Sequence, residues 1–272
     1  MVTRSKSIYT IFRTCMWTFF SLCKKNIQLI SVNIEGDKHI SRIHTLLKKT
    51  RADIVCLQEV FEDDFESFKT TYGYEGIFVP MGYKDSFFYP PVFHNKLFGL
   101  GILSRFPITK TTTRYYIGTP DHIPVFEFSE DTAVKPHTLN HLLLGVEFIY
   151  KEKTYRIFTT HFPVTPKGLP TTYQESSVTH ILEFLKDQEP FVLCGDFNAP
   201  RGGVAFTRIQ DQYTDNIPKH YKTSLDQELH KVKGLQYMVD GLFSTSGYIC
   251  SDVRLQDAVS DHMPIIASIE KI

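Results

Sequence analysis

The chain carries no excess of charge of either sign. Its 272 residues contain 30 Lys and Arg against 30 Asp and Glu, so the formal net charge is zero. Without a global basic field, electrostatics does not by itself favour nucleic acid or an anionic membrane as a partner, although a local basic groove stays open. The chain also has no internal repeat and no low-complexity linker, which excludes repeat architectures and flexible arrays.

Cysteine is scarce as well. The five cysteines are odd in number and show neither a CxxC motif nor a Cys/His zinc spacing; they are Cys15, Cys23, Cys56, Cys194 and Cys250. Cys56 and Cys194 lie inside apolar runs, which favours buried, reduced thiols and a reducing compartment. We therefore expect a cytoplasmic protein.

Long hydrophobic runs are absent apart from one ambiguous segment. Residues 8–23 are rich in aromatic and aliphatic side chains and follow Arg4 and Lys6, as in a signal peptide. Against this, Arg13 interrupts the run, no small-x-small cleavage site follows, and the run is too short to span a bilayer. Membrane association or export and a helical extension, packed on the domain or frayed, both stay open. We treat residues 1–26 as an N-terminal extension.

Residues 27–272 alternate between strand-like and helix-like segments and are expected to form one domain. Apolar runs at 27–33 and 53–57 flank a helical pattern over 38–50, and this order predicts an α/β layered unit. Residues 142–149 and 154–159 predict an antiparallel hairpin. Further strands are predicted at 99–103, 191–193, 238–244 and 265–269, and a further helix at 178–186.

Polar side chains follow these apolar runs, or flank them, where a cleft would lie. Taken singly, each is more often a solvated turn residue or a hydrogen-bonded core residue than a functional group. Taken together, they are the carboxylates, amides and imidazoles that metal-assisted cleavage of a phosphate ester requires. The set comprises Asn33, Glu35, Glu59, His161, Asp196, Asn198, Asp240, Asp261 and His262.

This ordered set resembles the endonuclease/exonuclease/phosphatase superfamily, metal-dependent phosphoesterases that include DNase I, apurinic endonucleases, inositol-phosphate phosphatases and neutral sphingomyelinases. The similarity extends from about residue 27 to 272. It rests on seven blocks in the family's order, namely ISVNIEG, DIVCLQEV, GILSRFPI, TTHF, CGDFN, VDGLFS and SDHMPI. The resemblance implies a DNase I-like α/β fold, a four-layer α/β sandwich in which two mixed β-sheets lie face to face, flanked by helices.

The resemblance also implies a metal site. Glu59 matches the family's metal-ligating glutamate, Glu35 stands where some members keep a second acidic contact, and Asp261 would face the metal or its bound water. Asn33 would orient the metal site or the scissile phosphate. Oxygen ligands without thiolate favour Mg²⁺, or Mn²⁺, over zinc.

Five further matches imply catalytic roles. Asp196 would polarise the attacking water, and Asn198 would hold that water or a phosphate oxygen. His161 would donate a hydrogen bond to a non-bridging oxygen as charge accumulates there. His262 would be the acid–base or phosphate-stabilising imidazole, and its partner would be Asp240 and not the neighbouring Asp261.

Two positions depart from the family's usual pattern. Met238 stands where an arginine is common, and Gly241 stands where a tyrosine is common. If that arginine normally supports the site, its role is dropped here or supplied by another residue.

The expected activity is that of a Mg²⁺-dependent phosphoesterase, in the first place a phosphodiesterase, that attacks the phosphorus in line with an activated water. Its substrate would be nucleic acid or a small or lipid phosphodiester. We expect a monomer without an obligate protein partner. The alternative is a catalytically silent binding or scaffold protein that retains the fold.

Substrate choice would depend on variable segments. Residues 72–98 concentrate aromatic side chains and prolines and predict an irregular loop that caps the sandwich, while base stacking or lipid contact stays open. Residues 163–173 form a second candidate rim loop. Candidate phosphate contacts are Lys167, His180, Arg201 and Lys222.

Overall fold

Strands dominate the part of the chain that the computed structural model describes, residues 26–85, 96–126, 138–188 and 190–272. The strands are β1 Ile27–Asn33, β2 Ile54–Phe61, β3 Glu75–Lys84, β4 Lys96–Ser104, β5 Ile108–Ile117, β6 His141–Tyr150, β7 Lys153–His161, β8 Val192–Asp196, β9 Thr214–Asp215, β10 Asp240–Ser244, β11 Tyr248–Leu255 and β12 Ile265–Lys271. The helices are α1 Ile40–Thr50, α2 Glu62–Tyr72, α3 Thr172–Leu185 and α4 Val204–Gln210. Apart from Asn26, the predicted N-terminal extension lies outside the described residues.

These strands form two mixed six-stranded sheets. The first has the order β11-β12-β1-β2-β4-β3, and the second has the order β5-β6-β7-β8-β10-β9. In the first sheet β1 runs parallel to β2 and antiparallel to β12. In the second sheet β8 runs parallel to β7 and antiparallel to β10. Each sheet therefore gathers the carboxyl ends of two parallel strands and the amino end of a third strand at one edge.

The alternation of side chains along each strand creates the layers. In β1, Leu29 joins the apolar layer between the two sheets, whereas Ile30 and Val32 join the layer beneath α1 and α2. In β8, Cys194 faces the layer between the sheets, and Leu193 packs with the residues of α3 and α4. The order helix, sheet, sheet, helix confirms the predicted four-layer α/β sandwich.

The predicted hairpin is confirmed as β6 and β7. Its two connecting residues, Lys151 and Glu152, have φ angles of 48° and 63°. Two positive φ angles in a two-residue connection are the mark of a type I′ turn, whose twist matches that of the strands.

The prediction of an irregular loop over residues 72–98 is wrong. Tyr72 ends α2, and most of the remaining described residues of this segment lie in the paired strands β3 and β4. Pro80 argued against a strand in the sequence, because proline lacks a backbone N–H donor and is rare within strands. Here β3 is the edge strand of its sheet, and the register shifts between Pro80 and Gly82, so the missing donor is tolerated. Residues 86–95 lie outside the described residues.

The predicted rim loop at 163–173 contains regular structure at both its middle and its end. Residues Pro166–Gly168 form a single 3₁₀ turn, and α3 begins at Thr172. The Thr171 hydroxyl caps this helix by accepting a hydrogen bond from the backbone nitrogen of Gln174 at 3.3 Å. The helix is therefore six residues longer at its start than the pattern over 178–186 predicts.

Two glycines allow β8 and β10 to pack closely beside their neighbours. Gly195 has a φ of 141°, and a Cβ there would lie 2.1 Å from the backbone oxygen of Thr160. Gly241 lies opposite Gly195, and a Cβ at Gly241 would lie 2.5 Å from the ring of Phe243 and 2.7 Å from that of Phe197. Glycine therefore replaces the family's usual tyrosine at position 241 for a steric reason, because phenylalanine rings occupy the space that a larger residue would need.

Cys56 and Cys194 are buried free thiols in the layer between the sheets, while Cys15 and Cys23 lie outside the described residues. No helix within the described ranges is both long and apolar enough to cross a bilayer.

Candidate active site

Strand pairing brings several predicted site residues to the same edge. Asn33 is the last residue of β1, and it lies in register with Gln58 of β2. His161 and Asp196 end the parallel strands β7 and β8 and lie opposite each other. Asp240 begins β10 opposite Asp196. These residues are far apart in sequence, and the topology of the two sheets gathers them.

Asn33 joins the two sheets at this edge. Its Nδ2 donates hydrogen bonds to Glu59 Oε1 at 3.1 Å and to Asp196 Oδ2 at 3.0 Å. Its Oδ1 accepts a hydrogen bond from the backbone nitrogen of Glu35 at 3.1 Å. The bond accepted by Oδ1 holds the amide so that its NH₂ group faces both carboxylates.

Glu59 departs from regular strand geometry. The pairing of β2 with β4 shifts between Leu57 and Val60, and Glu59 has a φ of 56°. A β-bulge redirects a side chain, and left-handed backbone at a non-glycine residue is concentrated at functional sites. Burial would raise the pKa of Glu59, but Lys84, His161 and the Asn33 amide together lower it to about 2. The carboxylate is therefore ionised at neutral pH.

His262 lies between two carboxylates. Its Nδ1 is 2.8 Å from Asp240 Oδ2, and its Nε2 is 3.7 Å from Asp196 Oδ2. Burial would lower the pKa of His262, but Asp240 and Asp196 raise it well above its ordinary value. The imidazole is thus held in its charged form, and its hydrogen-bonded partner is Asp240 and not the adjacent Asp261.

The Asp196 carboxylate is fixed on one side and faces the imidazoles on the other. Its Oδ1 accepts a hydrogen bond from the backbone nitrogen of Asn198 at 2.8 Å, and its Oδ2 lies 3.6 Å from His161 Nε2. Burial raises the pKa of Asp196, and the nearby Asp240 raises it further against the opposing effect of His262. Asn198 has a φ of 46°, and its Nδ2 donates to the backbone oxygen of Phe162 at 2.8 Å.

The model of the family described as "Endonuclease/Exonuclease/phosphatase family" matches residues 30–262. The chain belongs to this family. Members of the family are phosphoester hydrolases and generally depend on a divalent metal. The chain is accordingly a phosphoric ester hydrolase. No curated protein matches it significantly.

Solved structures share the fold of this hydrolase at low sequence identity. An endonuclease/exonuclease/phosphatase from Bacteroides vulgatus is 18% identical, with a TM-score of 0.68 over 92% of this chain and 100% of that chain. The human Nocturnin catalytic domain with bound sulfate is 14% identical, with a TM-score of 0.65 over 91% and 94%. A mannosyl-6-phosphatase from Bacteroides thetaiotaomicron is 14% identical, with a TM-score of 0.65 over 90% and 99%.

His161 is the site residue with unused hydrogen-bonding capacity. It is buried, and neither of its ring nitrogens has a hydrogen-bond partner among the described residues. Its Nε2 lies 3.7 Å from Glu59 Oε1 and 3.6 Å from Asp196 Oδ2, too far for a direct bond to either. A buried polar atom without a partner inside a cluster of acids points to a ligand that completes the site.

Two residues that support His161 were missed by sequence reasoning. The backbone oxygen of His161 accepts hydrogen bonds from His141 Nδ1 at 2.8 Å and from the Tyr116 hydroxyl at 3.0 Å. Burial lowers the pKa of His141 to about 3, so this imidazole is neutral and its Nδ1 carries the donated proton. Neither residue belongs to a motif, because both act on a backbone carbonyl. The available signal was a histidine directly before the apolar run of β6.

The two remaining predicted acids have other partners. Glu35 forms an ion pair with Lys38 and lies 3.2 Å from His39 Nε2. Asp261 Oδ1 lies 3.2 Å from the Ser260 hydroxyl. Burial raises the pKa of Asp261, and the charges of Glu35 and Glu59 raise it further. Glu35, Glu59 and Asp261 therefore contribute to one region of negative potential.

Three of the predicted phosphate contacts, Arg201, His180 and Lys222, have described side chains, and each contacts a residue outside this cluster. Arg201 pairs with Asp215 at 2.9 Å, and His180 contacts Ser176 within α3. Lys222 donates to the backbone oxygen of Lys219. A cleft of about 280 Å³ lies beside Met238, lined by Arg201, Lys219, Tyr221, Lys222 and Tyr237 among others. The side chain of Lys167 lies outside the description.

The donors of the cluster fit a hard divalent cation. The ionised Glu59 and the neighbouring acids offer oxygen atoms, whereas the buried thiols Cys56 and Cys194 lie in the layer between the sheets. Oxygen donors without sulfur suit Mg²⁺ or Mn²⁺ better than zinc.

Proposed function

We propose that the enzyme is a Mg²⁺-dependent phosphodiesterase that cleaves its substrate by in-line attack of an activated water. The observation that carries the proposal is a hydrogen-bonded network in which the Asn33 amide donates to both Glu59 and Asp196. The hydrogen-bonded pair of Asp240 and His262 lies beside this network. Its groups are a metal-ligating acid, a base, and donors for a charged phosphate. Such a set suits metal-assisted hydrolysis.

Glu59 would hold the metal, and Asp261 and Glu35 would strengthen the site by their negative charge or by contact through water. Bound Mg²⁺ would stabilise the negative charge that accumulates on the phosphate oxygens. Ligand atoms of Asp196, Asp240 and His262 also lie within 4.8 Å of one another. A charged His262 opposes a second cation there, so we assign that trio to proton transfer and phosphate binding.

Asp196 would activate the water. Its burial makes the carboxylate a stronger base than an ordinary aspartate, and the backbone of Asn198 fixes one of its oxygens. The water oxygen would bond to phosphorus while one of its protons passes to Asp196 Oδ2. The bond from phosphorus to the leaving oxygen would break with its electron pair on that oxygen, which takes a proton from solvent. His262 is not assigned the role of proton acceptor, because the neighbouring carboxylates raise its pKa and hold the imidazole in its charged form.

The two site imidazoles would stabilise the transition state. His161 Nε2 has no partner within the described residues and can donate to a non-bridging oxygen. His262 can donate from Nε2 while Asp240 holds its Nδ1. Fixed donors aimed at developing charge typically account for about 10²- to 10³-fold in rate each.

Nucleic acid and small or lipid phosphodiesters are the proposed substrates. The relative from Bacteroides thetaiotaomicron is named a mannosyl-6-phosphatase, and the Nocturnin structure carries a sulfate anion. Their names are compatible with phosphate-ester chemistry but select no substrate for this chain. A monomeric state and a reducing, cytoplasmic location also remain our predictions.

Hydrolysis of bis-p-nitrophenyl phosphate and p-nitrophenyl phosphate, in Mg²⁺, Mn²⁺ or EDTA, tests the proposal. We expect metal-dependent hydrolysis with preference for the diester. His262→Ala should remove it, whereas His180→Ala, on the exposed side of α3, should not. Absence of metal-dependent activity on both esters, and on DNA, sphingomyelin and inositol phosphates, would instead favour a silent binding or scaffold protein.

A further inference from the structure

Lys84 is held beside the proposed metal ligand by two aromatic rings. It is the last residue of β3, and its Nζ lies 3.7 Å from Glu59 Oε2. The same atom lies 4.5 Å from the centroid of the Phe98 ring and 5.1 Å from that of Phe126. The side chain is only 17% exposed. The ammonium group is therefore positioned at the wall of the site.

This position carries a cost that an ordinary surface lysine avoids. Ordering a lysine side chain costs on the order of 1.5–2 kcal/mol of rotamer entropy, and partial burial adds a loss of hydration. Cation–π contact returns about 0.5–2 kcal/mol. The cation–π contacts thus roughly offset the free-energy cost of ordering and partly burying Lys84. They do not explain why a cation lies beside Glu59.

Lys96 is a natural comparison within the same hairpin. It lies opposite Lys84 in the pairing of β3 with β4. Its Nζ lies 5.3 Å from the centroid of the Phe61 ring and 3.4 Å from Asp63 Oδ2. Asp63 is 77% exposed and belongs to no predicted site. The two lysines share strand context and aromatic packing, and they differ in the carboxylate that each contacts.

If Lys84 only neutralised the Glu59 carboxylate, it would oppose metal binding. Its positive charge repels a divalent cation and competes for the same oxygens. The cation becomes useful when an anion enters the site, since a phosphodiester brings negative charge that grows at its non-bridging oxygens during attack. An ammonium group offers three donors and a compact charge, both suited to phosphate oxygens.

We propose that Lys84 binds a non-bridging oxygen of the substrate phosphate, and that it exchanges its contact with Glu59 for the phosphate when metal and substrate are bound. This inference rests on the proposed function and adds to it a cation supplied by the edge strand β3. Among the described lysines and arginines, Lys38 also pairs with a predicted site acid, but it contacts Glu35 three residues earlier in the chain and is 35% exposed.

The test measures catalysis and metal binding in Lys84→Met, with Lys84→Arg and Lys96→Met alongside. For Lys84→Met, kcat/KM on bis-p-nitrophenyl phosphate should fall about 10- to 100-fold, and inorganic phosphate should inhibit more weakly. Calorimetric titration of Mn²⁺ into the substrate-free variant should show binding about two- to fivefold tighter, because a competing charge is gone. Lys84→Arg should recover part of the activity, and Lys96→Met should match wild type in every measurement.

Opposite changes in catalysis and metal affinity distinguish phosphate binding from a structural role. If Lys84→Met alters Mn²⁺ affinity but leaves kcat/KM and phosphate inhibition at wild-type values, the residue is only a partner of Glu59 and the inference is wrong. A wild-type chain that hydrolyses no ester would overturn the proposed function instead. The inference would then be judged by direct binding of inorganic phosphate to the Mn²⁺-loaded chain, which Lys84→Met must weaken.

Discussion

The hydrogen bond between His262 Nδ1 and Asp240 Oδ2 determines how the imidazole can act. Asp240 fixes which nitrogen faces the substrate and supplies the largest stabilising charge on the imidazolium. Its own backbone nitrogen donates to the buried Ser224 hydroxyl, which anchors the start of β10. The aspartate therefore serves as a positioning residue that acts through His262.

Asp240→Asn should lower kcat on a phosphodiester by about 10²- to 10⁴-fold with little change in fold, because the amide removes the charge that keeps His262 protonated. Steady-state kinetics with circular dichroism measures both quantities. Asp215→Asn is the control, since Asp215 pairs with Arg201 away from the cluster. Wild-type kcat in Asp240→Asn would show that the pair is not used in catalysis.

His141 links the site to the stability of the fold in acid. Burial holds its folded-state pKa at about 3, below the ordinary value of 6.5, so the unfolded chain binds the extra proton between these values. The contribution of His141 to stability is therefore fully present above pH 6.5 and is lost as the pH falls toward 3. The expected slope from this residue is about 1.4 kcal/mol per pH unit.

His141→Gln should remove that slope. Between about pH 7.5 and about pH 5, the wild-type free energy of unfolding should decrease by about 2 kcal/mol more than that of the variant. Urea denaturation at both pH values measures the difference. Equal decreases in the two proteins would mean that His141 is not held neutral in the folded state.

At the scale of the strands, a polar contact aligns the two sheets just behind the cluster. The Gln58 amide donates to the Thr159 hydroxyl at 2.8 Å, across the layer between β2 and β7. Glu59 directly follows Gln58, and His161 follows Thr159 by two residues. A shift between these strands would therefore separate Glu59 from His161.

Thr159→Val should destabilise the fold by about 1–3 kcal/mol, because the buried Gln58 amide would lose the shorter of its two hydrogen bonds and keep only that to Ser31 Oγ at 3.3 Å. Metal affinity should fall with it, as the positions of Glu59 and His161 relax. Thr154→Val, on an exposed position of β7, provides the matched control. Thermal unfolding and Mn²⁺ titration give the comparison, and indistinguishable results for the two variants would exclude this role.

The strands that sequence reasoning recovered lie inside the two sheets, and the strands that it missed, β3, β5, β9 and β11, lie at the sheet edges. The helices α2 and α4 were missed as well. β1 and β8 are continuous apolar runs because helices cover one face and a sheet covers the other. β5 and β11 are both partly exposed: β5 carries a run of threonines with Lys110 and Arg114, and β11 places Asp252 and Arg254 among its apolar residues. Their strand character depends on neighbouring strands, which a local pattern does not contain.

The same distinction applies to the site. Asn33, Asp196 and His262 are recognisable because they stand in family blocks. His141 and Lys84 are not recognisable from the sequence. His141 acts on a backbone carbonyl, and Lys84 lies on the edge strand β3, which was not predicted because it contains Pro80. Their positions follow from pairing and packing between distant segments.

For the whole molecule, function depends on the joining of two sheets whose site residues come from both. The net charge of zero supplies no long-range attraction for a polyanion. Binding should therefore depend on the metal and on local cations. Without the metal, Glu59, Asp196 and Asp261 would repel an approaching phosphate.

Dependence of diester hydrolysis on Mg²⁺ concentration, in wild type and in Glu59→Gln, tests this chemistry most directly. We predict that the wild-type rate vanishes in EDTA and returns with Mg²⁺, and that Glu59→Gln needs at least about tenfold more Mg²⁺ to reach half of its own maximum. A rate that persists in EDTA, or an unchanged Mg²⁺ requirement in Glu59→Gln, would contradict a metal-dependent site built on Glu59.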